Sequence, residues 1–185
     1  MTSYRINTNY AKALLMLATD RQDVDRVADD MRMVSQVTAE NHELSVVFAN
    51  PVLPADKKAA IVRELFTDHV CDTTMAFLVF LVRKNRSVNM HGVSEAYLDM
   101  WRDVKGIVLS NLSTHQPVDE EARKLVTQMV QDYTGRHVEL HENTDAQMLG
   151  GFKLEFDHKM YDARLRTKIR KLRQEFAKND YESKL

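Results

Sequence analysis

Hydrophobic residues recur at helical spacing through the first 105 positions of the chain. Tyr10, Ala11, Ala13, Leu14, Leu15, Met16, Leu17 and Ala18 make a segment that is apolar on almost its whole circumference, with Asn7 or Thr8 placed to cap its start. From about Asp23, the residues Val24, Val27, Met31, Val34 and Val37 follow at spacings of three and four with charged residues between them. That is the pattern of an ordinary amphipathic helix. Glu43 to Ala49 predicts a short third helix, ended at Asn50-Pro51 because the residue before a proline is driven out of the α region. Pro54 suits the first turn of a fourth helix, whose buried stripe is Ile61, Leu65 and Phe66. Cys71 to Arg86 reads as a fifth helix, strongly apolar from Met75 to Val82 and broken by Asn85-Arg86-Ser87. A sixth carries Val93, Tyr97, Met100, Trp101 and Val104 on one side and stops at Gly106.

Beyond Gly106 the period changes. Ile107 to Leu112 is a β-favouring run, and Val138 and Leu140, then Phe152, Leu154 and Phe156, alternate with polar neighbours as half-buried strands do. Between them Ala122, Leu125, Val126, Met129, Val130 and Tyr133 fall in helical register, closed by Gly135. Asp157-His158 predicts a hairpin turn. A last helix is expected from about Asp162, with Leu165, Ile169, Leu172 and Phe176 on one face and Arg164, Arg166, Lys168, Arg170, Lys171, Arg173 and Lys178 on the others. The predicted fold is mainly α: a six-helix bundle over residues 1–105, followed by a small α+β domain over 106–185.

Composition narrows the class. A chain of 185 residues with 44% hydrophobic and 29% charged residues, five glycines and three prolines is a helix-rich globular protein, neither fibrous nor disordered. Its net charge of −1 supplies no global field for nucleic acid or anionic lipid. Cys71 is the single cysteine, which excludes an intramolecular disulfide and points to a reducing compartment. The first eight residues show neither a signal core nor the character of a transit sequence, so the chain is expected to stay where it is made. The longest apolar run, Met75 to Val82, falls far short of the ~20 residues a membrane-spanning helix needs.

Little catalytic chemistry is on offer. With no G-x-x-x-x-G-K-[ST] and no G-x-G-x-x-G, neither usual backbone cradle for nucleotide phosphates exists. His137 and His141 are four apart, but on a segment that alternates like a strand, where that spacing does not converge on a metal. Cys71, at the start of an apolar helix, reads as a small buried hydrophobe. No carboxylate pair stands out as an acid/base couple. Two features do stand out. The first is the pair of over-apolar helices, either wholly enclosed in the bundle or flanking a groove for a partner's amphipathic helix. The second is the basic final helix, which is either a solvated surface or a contact for an acidic protein or a nucleic acid. A nucleic-acid-binding module using that helix is therefore the alternative reading, supported by charge alone.

The segment Leu149-Gly150-Gly151-Phe152-Lys153-Leu154, followed by Tyr161-Asp162-Ala163-Arg164-Leu165-Arg166-Thr167-Lys168-Ile169, resembles the C-terminal signature of ATP synthase delta subunits and their mitochondrial oligomycin-sensitivity relatives. Tyr10-Ala11-Lys12-Ala13-Leu14, Asn50-Pro51 and Asn85-Arg86 resemble that family in matching order, so the likeness covers nearly the whole chain. Two positions depart from it: Ala146 follows Asp145 where the family often has proline, and Arg164 stands where serine is usual.

The resemblance implies a non-catalytic stator subunit of a proton-translocating F-type ATP synthase, with no cofactor and no direct nucleotide. It implies that the helical domain takes the N-terminal helix of an alpha subunit between its first and fifth helices. Tyr10, Ala11, Leu14 and Leu15, with Phe80 and Lys84, are then the groove residues. The second domain would meet the peripheral-stalk b subunits, with Arg166, Arg170 and Arg173 as contacts and Gly150, Gly151 and Asp162 as structural residues. Membrane association would be peripheral, through the complex, at the cytoplasmic face of the inner (cell) membrane.

Overall fold

The structure, a computed structural model, describes residues 2–157 and 159–170. The chain divides into two compact units, Met1–Lys105 and Gly106–Leu185. It is mainly helical, with one small four-stranded sheet among the described residues.

In the first unit, α1 (Thr2–Arg21), α2 (Val24–Glu40), α3 (His42–Ala49), α4 (Ala55–Phe66), α5 (Asp72–Arg83) and α6 (Met90–Lys105) follow one another, with a 3₁₀ turn at Ser87–Asn89 before α6. α6 packs along both α1 and α2, and α4 along α5. The expected cap at Asn7 or Thr8 is corrected: α1 begins at Thr2, and both residues lie inside it. Thr8 donates back to the Tyr4 carbonyl at 2.9 Å, and Asn7 accepts from Asn89 Nδ2 at 2.8 Å. Their polar groups are thus satisfied by the preceding turn and by the tertiary fold, and neither interrupts the helix. α5 likewise stops at Arg83 and not at Arg86, because Asn85 takes up a left-handed φ of 55°.

The core of this unit draws Leu14, Met31, Val34, Val62, Phe66, Leu78, Leu81 and Tyr97 from five helices. The Tyr97 hydroxyl donates to the Val24 carbonyl at 3.1 Å, and burial pushes its phenol pKa up. Two charged side chains are also buried, and each meets a helix end that needs it. Asp30, on α2, accepts the backbone N–H of Cys71 at 2.8 Å, placing a carboxylate at the positive N-terminal end of α5. Lys58, on α4, donates to the Phe48 carbonyl at 2.7 Å, and Ser87 donates to the same oxygen at 2.9 Å. That oxygen lies in the last turn of α3, where helix carbonyls lack intrahelical partners.

The second unit holds β1 (Ile107–Thr114), α7 (Glu120–Thr134), β2 (His137–Thr144), β3 (Phe152–Phe156) and β4 (Lys159–Asp162) in sheet order β2-β1-β3-β4. β1 and β2 run parallel, Ile107 opposite His137, so the link between them has to cross over, and α7 is that crossover. β3 and β4 continue the sheet antiparallel, with Leu112 opposite Leu154 and Leu154 opposite Tyr161. Asp119 caps α7 by accepting from the Ala122 N–H at 2.8 Å, and Gly135 closes it at a φ of 66°. Val108, Leu112, Val130 and Leu154 form the small core.

Two expectations change here. Of the α7 apolar residues, Val130 is buried and Val126 packs against the core, whereas Leu125, Met129 and Tyr133 are exposed, because one helix over a narrow sheet buries only one stripe. The last helix does not begin at Asp162. That residue ends β4, a strand too short to show an alternation, and residues 165–170 are helical after it. His158, Leu172 and Phe176 lie outside the described residues.

Leu14 has no exposed surface, whereas Leu17 of the same helix is 37% exposed. Leu14→Ala is expected to cost about 2–5 kcal/mol, and Leu17→Ala about 0.5 kcal/mol or less. Urea unfolding of the full chain reads both, and equal midpoint shifts would contradict this placement of the core.

Candidate functional site

The outward face shared by α1 and α5 is the first unit's candidate contact surface. The two helices run antiparallel: Arg21 Nη1, at the end of α1, donates to Thr73 Oγ1 near the start of α5 at 3.1 Å. Further along, the Tyr10 and Phe80 rings meet edge to face with centroids 6.2 Å apart. Phe80 remains 44% exposed and Lys84 lies 5.7 Å from its ring centroid, a cation–π contact. Ala13 and Leu17 follow Tyr10 by three and seven residues, and Ala76 stands four before Phe80, so all three share this face, and all three are exposed.

Tyr10, Phe80 and Lys84 are thus brought together as expected. Ala11 and Leu14 are corrected: both have no exposed surface and belong to the core. Leu15 is half-buried against that core and lies about 140° around α1 from Tyr10. Ala13, Leu17 and Ala76 take their place. The spacing 10-13-17 was visible in the sequence, but a helix apolar all round does not reveal which stripe faces outward.

In the second unit, the paired glycines pack against the start of the closing helical segment. A Cβ on Gly151 would stand 2.3 Å from the Ala163 carbonyl oxygen, and its φ is 83°. The Gly150 carbonyl accepts the Leu165 N–H at 3.0 Å, and the Phe152 carbonyl accepts that of Ala163 at 2.9 Å. The Asp162 carboxylate accepts from the Arg164 N–H at 3.0 Å, from the Arg164 guanidinium at 3.0 and 2.7 Å, and from the Thr167 hydroxyl at 3.1 Å. The guanidinium, followed by the backbone N–H, holds this carboxyl well below the usual carboxylate range. Arg164, by its backbone N–H and its guanidinium together, therefore supplies three of the four bonds to the Asp162 carboxylate. Arg166 and Arg170 are exposed, four residues apart on one helical face, and Arg173 lies outside the described residues.

His137 and His141 lie on β2, about 13 Å apart at strand rise, too far to share an ion. Cys71 is buried at the start of α5, its sulfur 3.3 Å from Thr74 Oγ1. Among the described residues there is no cluster of three metal-ligating side chains, and no helix is long and apolar enough to cross a membrane.

The family model for the ATP synthase delta (OSCP) subunit matches residues 6–176. The chain belongs to that family. It is similar to the ATP synthase subunit delta of Cytophaga hutchinsonii, 33% identical over 176 residues that cover 95% of this chain and 96% of that one. It is also similar to the ATP synthase subunit delta of Salinibacter ruber, 31% identical over 169 residues that cover 91% and 89%. A chain of the cryo-EM structure of the Toxoplasma gondii mitochondrial ATP synthase hexamer shares the fold, with a TM-score of 0.74 and 19% identity over 92% of this chain and 97% of that one. Membership in the delta (OSCP) family makes the chain a structural subunit of ATP synthase and not a catalytic one.

For the family's paired glycines, Gly151→Ala combines a backbone clash with an unfavourable φ and is expected to destabilise the second unit by at least about 1–3 kcal/mol. Hydrogen exchange at 152–165 reads it, and unchanged protection would contradict the packing described. The Asp162 pKa is lower in the folded state, so its stabilising effect is full above the unfolded carboxyl's ordinary value of about 3.9 and is lost as pH falls from there through the lower folded value. A carboxyl-carbon NMR titration should therefore find its midpoint below about 3.9. A midpoint at or above that value would rule out the Arg164 clamp.

Proposed function

We propose that the chain is the stator subunit that joins the catalytic head of an F-type ATP synthase to its peripheral stalk and holds the head against the torque of the rotor. Residues 1–105, as a six-helix bundle, bind the head by taking the N-terminal helix of an alpha subunit on the α1/α5 face. Residues 106–185 meet the stalk b subunits through the exposed Arg166 and Arg170, and Arg173 continues the same basic series. The subunit needs no cofactor and associates with the membrane peripherally, through the complex, at its cytoplasmic face.

The observation that carries this reading is the Tyr10–Phe80 pair, an aromatic contact left partly open to solvent on two helices whose opposite faces are buried. An amphipathic helix laid along that face would bury the rest of Phe80 together with Leu17, Ala13 and Ala76. Two contacts, one in each unit, reinforce each other by effective concentration, so neither has to be exceptionally tight.

Calorimetric titration of the full chain with a peptide of the alpha-subunit N-terminal helix tests this. One-to-one binding with a negative heat-capacity change is expected. Phe80→Asp, at an exposed position, should weaken it at least about tenfold, or about 1.4 kcal/mol, with the thermal melt unchanged. No binding by well-folded wild-type chain would sink the head contact.

A further inference from the structure

The last two turns of α6 are held to α2 chiefly by one carboxylate. Beyond Leu98 no residue of α6 is buried, beyond Trp101 none of its apolar residues packs on the core, and Val104 is 66% exposed. What grips this end is polar. Tyr97, Trp101 and Lys105 recur every four residues along one stripe of α6, and all three bond to the first two residues of α2. The Tyr97 hydroxyl donates to the Val24 carbonyl, Trp101 Nε1 donates to Asp25 Oδ1 at 3.0 Å, and Lys105 Nζ lies 2.8 and 2.9 Å from the two Asp25 oxygens. Arg32, two turns further along α2, sets its guanidinium 5.7 Å from the Trp101 ring centroid.

Lys105 is the last residue of the first unit, and the backbone enters the second at Gly106, whose φ of 65° ends the helix. A pull that reaches the first unit along the backbone therefore arrives at Lys105 and acts to peel α6 from its C-terminal end. The Asp25–Lys105 pair adds little to global stability, because 41% of the Lys105 and 65% of the Asp25 side chain are open to solvent. Under such a pull, however, it is loaded before any core contact of α6. We propose that Asp25 is the positioning residue through which the first unit takes up load from the second, pinning the end of α6 to the start of α2. The inference rests on the holding role proposed above and adds the residue at which load enters the bundle. Without the pin, residues 99–105 would straighten from ~1.5 to ~3.4 Å per residue and lengthen the chain by roughly 13 Å with the core still intact.

The test pulls single molecules of the full chain between handles at Ala13, on α1, and Arg166, in the second unit. Asp25→Ala should add an early step of roughly 13 Å, at a force below that of any wild-type step. Asp25→Asn, which keeps an acceptor for Trp101, should fall between the two, and adding Lys105→Ala to Asp25→Ala should change nothing further. With handles at Ala13 and Lys57 the load bypasses the end of α6, and there Asp25→Ala should match wild type, as it should in thermal melts. An unchanged force profile, or an equal loss of strength in both handle geometries, overturns the pin. Asp25→Ala should also bind the alpha-subunit peptide as tightly as wild type. A wild-type chain that binds no peptide sinks the head contact and leaves the force result standing.

Discussion

A helix packed on one side presents a limited stripe to the core, and α1 and α5 carry more apolar surface than such a stripe holds. The rest of the first unit is arranged around that excess. α1 commits Ala11, Leu14 and Ala18 to the interior, and α5 commits Phe77, Leu78, Leu81 and Val82. What remains of each helix faces outward side by side, with Tyr10 against Phe80 at the centre. Had either helix been turned by a third of a revolution, Leu14 or Leu81 would lie in water and Tyr10 or Phe80 would have to fit the core. The cost of a large exposed aliphatic residue, about 1.5–3 kcal/mol each, keeps that rotation out of reach. The outward α1/α5 face is therefore what core packing leaves over.

Polar contacts fix the position of α5 along its axis, which apolar packing alone specifies weakly. Its N-terminus is held by Asp30 of α2, and its first turn is tied to α1 through Arg21 and Thr73. Beyond its C-terminus, Ser87 shares the Phe48 carbonyl with Lys58, so the turn after α5 is anchored to the end of α3 and the start of α4. Removing Asp30 would leave the buried Cys71 N–H without its acceptor, whereas the Phe48 carbonyl keeps one donor if either Lys58 or Ser87 is lost. The same bonds that satisfy helix ends thus keep Phe80 level with Tyr10.

These residues also explain what was legible in the sequence and what was not. Helix ends marked by local chemistry were readable: Pro54 stands directly before α4 and Gly135 directly after α7. The site was half readable for a physical reason. Period is a property of the sequence, but phase is set by contact, and Leu14 differs from Leu17 only in which of them α1 turns inward. On α7 a dense apolar register likewise concealed that Leu125 and Met129 stay exposed and that Tyr133 meets the sheet only at its edge, ring against Phe156, with most of its surface open. The hairpin expected at Asp157-His158 implied a strand after it, and the end of that strand was hidden because Asp162 carries two signals at once. It pairs across from Lys153 as the last residue of a strand, and its carboxylate engages the Arg164 N–H and the Thr167 hydroxyl as a helix-opening residue does.

That dual role bears on how the second unit would carry load. A pull on the segment that holds Arg166 and Arg170 reaches the sheet through Ala163 and Leu165, whose N–H groups bond to Phe152 and Gly150 at the start of β3. β3 is flanked by β1 on one side and β4 on the other, both antiparallel to it. Ladder bonds in such pairs lie perpendicular to the strands, so tension directed along β3 loads several of them together in shear and does not open them one by one. Gly151 is needed there because a Cβ would run into the Ala163 backbone, and Gly150 because its φ of 132° is one that residues with a Cβ rarely adopt. In the holding role proposed above, the close backbone contact, more than any side-chain chemistry, is the join that has to bear the load.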